Sequence, residues 1–84
     1  MKTDERLTQA EKIAMTLKKM IILKKIQPGE RINQEKMSKE LGVSKIPFRE
    51  ALKVLEAEGV VYSVPFKGSF FREHSLEYLH ELYF

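Results

Sequence analysis

LGVSKIPFREALKVLEAEG, running from Leu41 to Gly59, decides the fold. Phe48, Ala51, Leu52 and Leu55 fall at i, i+3, i+4 and i+7, one apolar stripe of an α-helix. Lys45, Arg49 and Lys53 recur every four residues and line a different face. Ser44 stands at the N-cap position, its hydroxyl able to accept a bond from a free first-turn N–H. Pro47 falls inside the first turn, where its missing N–H breaks no intrahelical bond. Gly59 closes the helix as a C′ glycine. Just upstream, Gly42 supplies positive φ for a short turn and Val43 plugs the angle between two helices. A helix that presents cations from its N-terminal half, set behind another helix by a short turn, has helix-turn-helix geometry.

Working outward towards the N-terminus, Asn33 caps a short helix, Gln34 to Leu41, with Met37 and Leu41 turned inward. Gln27-Pro28-Gly29-Glu30 is a turn. Before it, Leu7, Ala10, Ile13, Ala14, Leu17, Met20 and Ile21 form a broad apolar stripe on a first helix. Thr8 and Glu11 have the spacing of a capping box, with an earlier start near Thr3 or Asp4 left open. Lys12, Lys18, Lys19, Lys24 and Lys25 occupy the other face, as a solvated surface or as phosphate contacts.

Towards the C-terminus, VVYSV and SFFR flank the segment Pro65-Phe66-Lys67-Gly68, and together they read as a β-hairpin. Lys67 and Gly68 are expected at or near its tip. Ser75 then caps the start of a C-terminal helix with Leu76, Leu79, Leu82 and Tyr83 on one face. The predicted fold is mainly α with a small β-hairpin: a winged helix-turn-helix of three helices and a two-stranded wing. Residues 1–73 are expected to form this domain, and 74–84 a linker and the beginning of a further domain. Ending on Tyr83-Phe84 after one short amphipathic segment, the chain reads as the front part of a longer protein.

Eighty-four residues suffice for one small domain, and 43% apolar with 32% charged residues places it among globular rather than disordered chains. Without cysteine there is neither a disulfide framework nor a thiolate metal site. The apolar run Met20 to Leu23 is too short to span a membrane, and MKTDERLTQAEK lacks the apolar core of a signal peptide. A cytoplasmic protein without a membrane partner is the expectation. His74 and His80 lack the i, i+4 spacing of helical metal ligands, and no Ser/His/Asp or Cys/His set exists, so no catalytic or metal site is expected. A net charge of +3 favours a polyanionic partner.

These residues resemble the N-terminal domain of the GntR family of bacterial transcriptional regulators, and most closely its FadR-like, FCD-type branch. The resemblance runs from Ile21 to Phe71 and rests on four blocks in order. They are Pro28 to Ile32 (PGERI), Leu41 to Leu52 (LGVSKIPFREAL), Leu55 to Val61 (LEAEGVV) and Phe66 to Phe71 (FKGSFF). It implies operator-specific binding of double-stranded DNA by a homodimer. A small-molecule effector, with a metal in many relatives, would bind a C-terminal domain beyond Phe84; no cofactor is expected in this chain. Three positions depart from the pattern. Lys45-Ile46 stands where the family usually has Arg-Thr, exchanging a bidentate fork for a point charge. Phe48 replaces a smaller aliphatic, its volume offset by Met37. Lys24 replaces a helix-ending glycine, which predicts a slightly longer first helix.

The candidate DNA-binding residues are Arg31, Ser44, Lys45, Ile46, Arg49, Lys53, Lys67 and Gly68. Arg49 is placed by the motif to read a base; a salt bridge to Glu50 or Glu56 is its alternative. Lys45 would contact base or phosphate, and Ser44 would offer a backbone N–H to phosphate. Ile46 either meets the groove or is partly buried. Lys53 is expected to see phosphate or solvent, and Arg31 either phosphate or solvent. Lys67 and Gly68 contact DNA from the wing or serve only its turn. Two readings compete with DNA binding: a winged helix used for protein contact, and self-association through Leu76, Leu79, Leu82, Tyr83 and Phe84.

Overall fold

The computed structural model describes residues 7–72. The element order is α1 (Gln9–Ile22), α2 (Gln34–Leu41), α3 (Lys45–Ala57), β1 (Val61–Val64) and β2 (Gly68–Phe71). The expected helix after Ser75, the two histidines and the proposed self-association segment lie outside the described residues.

Thr8 starts α1 with a complete capping box. Its hydroxyl accepts from the Glu11 N–H at 3.0 Å, and Glu11 Oε1 accepts from the Thr8 N–H at 2.8 Å. The helix does not run on through Lys24, contrary to expectation. Lys24 turns left-handed at φ 63°, its N–H donating to Ile21 O at 3.0 Å while that of Lys25 donates to Met20 O at 2.8 Å. This pair of bonds is a Schellman closure built without glycine. It satisfies two terminal carbonyls and turns Ile26 into the core, where it is buried. Asn33 caps α2 by accepting from the Lys36 N–H at 3.0 Å. Gly42 and Gly59 end α2 and α3 at φ 69° and 82°, conformations that a Cβ disfavours.

The apolar stripes of α1 and α3 face each other. Ala10, Ile13, Ala14 and Leu17 meet Phe48, Ala51, Leu52 and Leu55, with Met37 from α2 buried beside them. Val43 packs against this core from the turn. Outside it, Lys18 Nζ pairs with Glu58 Oε1 at 2.8 Å, joining α1 to the end of α3.

β1 and β2 pair antiparallel with Val61 opposite Phe71, Tyr62 opposite Phe70, Ser63 opposite Ser69 and Val64 opposite Gly68. Alternation sends Val61 and Phe71 into the core. Tyr62 and Phe70 stack at 5.5 Å between ring centroids, and the Arg72 guanidinium lies 5.3 Å from the Tyr62 ring centre. The connection before α2 also joins the sheet. Gly29 N–H donates to Phe71 O, Phe71 N–H to Glu30 O and Ile32 N–H to Ser69 O, each at 2.9 Å. Residues 29–32 thus cover the outer edge of β2 and tie the hairpin to the start of α2.

Candidate nucleic-acid interface

Ser44 occupies the N-cap of α3, but its hydroxyl accepts no hydrogen bond from the helix. Pro47 removes one of the two donors such a cap can use. It holds the third helical position, and its ring nitrogen carries no proton for the cap to accept. The expected capping bond is absent, and the hydroxyl remains available beside the first-turn N–H groups of Lys45 and Ile46. The helix still forms because the Phe48 N–H reaches Ser44 O at 3.3 Å and the apolar stripe is buried.

The cations at the start of α3 are held by α2. Arg49 Nε donates to Gln34 Oε1 at 3.1 Å, and Lys45 Nζ forms an ion pair with Glu35. Arg49 pairs with neither Glu50 nor Glu56, so the alternative expected for it does not form. Its terminal guanidinium nitrogens make no hydrogen bond among the described residues and are free to meet an acceptor pair. Ile46 is 72% exposed, which removes the partial-burial reading. Lys53 is exposed further along α3 and makes no ion pair among the described residues.

Arg31, Lys67 and Gly68 form a second group. Arg31 Nε donates to Lys67 O at 3.1 Å. Gly68, at φ 115°, would place a Cβ 3.2 Å from that Nε, so the missing side chain makes room for the arginine. Gly68 adjoins the tip, as expected: it opens β2, opposite Val64. The tip is Pro65-Phe66-Lys67, closed by the Lys67 N–H donating to Val64 O at 3.0 Å. Pro65 supplies the fixed φ that such a turn favours at its second position. Phe66 takes the third at φ 66°, where glycine or asparagine is usual.

The two groups are neighbours through the chain. Only Ile32 and Asn33 separate Arg31 from Gln34, three Cα steps that span at most about 10 Å. A short stretch of backbone thus links the arginine that holds the wing to the glutamine that holds Arg49. Sequence reading missed Gln34, Glu35 and Phe66. The first two were legible only as helix-start polar residues, while a phenylalanine beside Pro65 in a hairpin turn was a signal that could have been followed.

Several known proteins are similar to this chain in sequence or fold. The family model for bacterial regulatory proteins of the gntR family matches residues 9–71. The transcriptional regulator YdhC of Bacillus subtilis is 49% identical over 45 residues, covering 54% of this chain and 20% of that protein. The Nta operon transcriptional regulator of Aminobacter aminovorans is 42% identical over 57 residues, covering 68% of this chain and 27% of its own. Among solved structures, the DNA-binding domain of AraR in complex with an operator superposes with a TM-score of 0.65. It is 27% identical, with 77% of this chain and 80% of that one covered. The chain thus spans 20–27% of the length of these two curated relatives. With the family pattern matched from the first helix through the wing, the chain belongs to the gntR family of bacterial regulatory proteins.

Proposed function

We propose that this chain is the operator-recognition domain of a cytoplasmic, FadR-like transcription regulator of the FCD type, binding double-stranded DNA in a sequence-specific manner. The observation that carries the reading is the exposed cationic start of α3, where Arg49 is oriented by Gln34 and its outer nitrogens are left open. The likeness to AraR bound to an operator supports it. In this reading α3 enters the major groove. Arg49 reads a base, Lys45 and Ile46 meet base edge or backbone, and Ser44 and Lys53 meet phosphate. Arg31, Lys67 and the backbone at Gly68 lie against the neighbouring backbone or minor groove.

Residues 1–73 act as the DNA-binding domain, and 74–84 lead into an effector-binding and dimerising part of a longer protein. The homodimer would place two copies on a pseudo-palindrome, with half-sites about one helical turn apart or closer. The effector, with or without a metal, would bind outside this chain.

Fluorescence anisotropy with a pool of random duplexes at two salt concentrations, followed by selection and sequencing, tests the reading. Enrichment of a two-fold symmetric motif, with affinity falling steeply in salt, is the expected result. Arg49→Ala should then cost about 1–3 kcal/mol and relax one position of the motif. No retention of any duplex at low salt would replace this function with protein contact. A motif unchanged by Arg49→Ala would remove its base-reading role.

A further inference from the structure

The end of the wing carries two local conflicts at one residue. Phe66 is the most exposed large apolar side chain among the described residues, at 108% relative accessibility. It also holds φ 66°, in the left-handed region, which strains a bulky side chain; glycine adopts it freely and asparagine tolerates it. Neither feature helps the domain fold. The ring covers no core residue, and the turn would close as well with asparagine at this position. Local rules broken together at one exposed residue point to function.

The surroundings favour one kind of partner. Lys67 follows the ring, and its carbonyl is gripped by Arg31 at 3.1 Å, so cations stand beside the apolar tip. The ribbon behind it is stiffened. Tyr62 stacks on Phe70 at 5.5 Å, and the Ser63 and Ser69 hydroxyls meet at 3.2 Å across the strands. A single aromatic ring on a braced ribbon, flanked by positive charge, is too small for a protein-docking patch. It does fit a duplex, where cations sit on phosphate and an apolar wedge slips between base pairs.

We propose that Phe66 is an aromatic wedge that enters the minor groove beside the site read by α3 and partly unstacks one base step. The proposal rests on the duplex-binding function above and adds a deformation to it. Pyrimidine–purine steps unstack most easily, so the wedge selects a TA or CA/TG step at a fixed distance from the bases read by Arg49.

The test uses the 84-residue chain, with Phe66→Asn and Phe66→Trp beside the wild type. Asparagine tolerates the left-handed turn and removes the ring; tryptophan keeps a wedge. Each protein is taken through selection from random duplexes, and binding is measured on the duplex the wild type retains. A copy of that duplex carries 2-aminopurine at the proposed step, and thermal melting is followed by circular dichroism. Phe66→Asn should bind about tenfold more weakly with an unchanged salt slope, because no cation is lost. It should melt no lower than the wild type. Its selected motif should lose the flexible step, and the 2-aminopurine brightening seen with the wild type and Phe66→Trp should vanish. Equal binding by Phe66→Asn, or a wild-type complex in which 2-aminopurine stays quenched, overturns the wedge and leaves the duplex-binding function standing. A wild type that retains no duplex overturns both.

Discussion

Gln34→Ala separates reading a base from being held ready to read it. In the folded chain Gln34 accepts from Arg49 Nε at 3.1 Å, while the outer guanidinium nitrogens are unengaged. Removing the amide leaves every group that faces DNA in place but frees the arginine to sample its rotamers. A free arginine side chain carries about 2 kcal/mol of rotamer entropy. The pair is exposed, so an order of half that, roughly 0.5–1.5 kcal/mol, is the expected loss in binding. At 1.4 kcal/mol per decade this is roughly a twofold to twelvefold rise in Kd. Stability should hardly change, since an exposed hydrogen bond between side chains contributes within about 0.5 kcal/mol. The salt slope should be unchanged because no phosphate contact is removed. The assay is a double-mutant cycle of Gln34→Ala and Arg49→Ala on the selected duplex, read by anisotropy at constant salt. The expected coupling matches the single loss from Gln34→Ala, because without Arg49 the glutamine has nothing to orient. Additive losses would refute the reasoning and make Gln34 a DNA contact in its own right. An unchanged Kd for Gln34→Ala would show that the hydrogen bond orients nothing.

Two further perturbations test other parts of the structure. Glu35→Gln frees Lys45 from its ion pair and removes a negative charge from the proposed DNA face, so duplex binding should tighten by about 0.2–1 kcal/mol, most at low salt; weaker binding would instead make Glu35 an acceptor for a base such as cytosine N4. Lys24→Gly relieves a left-handed lysine, partly offset by a more flexible unfolded chain, for a net gain of about 0.5–1 kcal/mol; for a domain this small the melting temperature should rise by roughly 2–8 °C, and a fall would mean that the Lys24 side chain makes a stabilising contact.

Local signals were legible wherever the physics is local. Thr8 with Glu11, Asn33 before α2, and the glycines at 42 and 59 each act within a few residues, and the structure places each as the sequence implied. The stripe Phe48, Ala51, Leu52 and Leu55 is buried as its period demands, and Met37 is buried with it. Ser44 is the N-cap that the sequence implies, but its hydroxyl makes no capping bond; Pro47, legible in the sequence, removes one of the two donors such a cap can use. Lys24 was misjudged because ending α1 there depends on where Ile26 must go, which is a tertiary demand. Gln34 and Glu35 meet Arg49 and Lys45 only through the angle between α2 and α3, and sequence spacing does not fix that angle. Lys67 and Gly68 were legible as lying at or near the tip; that Phe66 takes the left-handed position there depends on the register that already pairs Val64 with Gly68.

The least legible feature also bears most on how such a domain could read DNA. Gln27 to Glu30 are a turn by composition, yet residues 29–32 pair along β2, and only Asn33 lies between them and the start of α2 at Gln34. Alternation along this edge buries Ile32 and leaves Arg31 outside, where it holds the wing through Lys67 O. A short stretch of backbone therefore runs from the wing brace to the residue that orients Arg49. Wing and α3 are not independent contacts joined by a flexible loop: a shift of the hairpin must move Gly29, Glu30 and Ile32, and with them the start of α2. Docking the wing would therefore restrict the placement of α3 in its groove. For 66 described residues without a disulfide, that edge pairing supplies a fixed spacing between the two contacts which the small core alone would not guarantee.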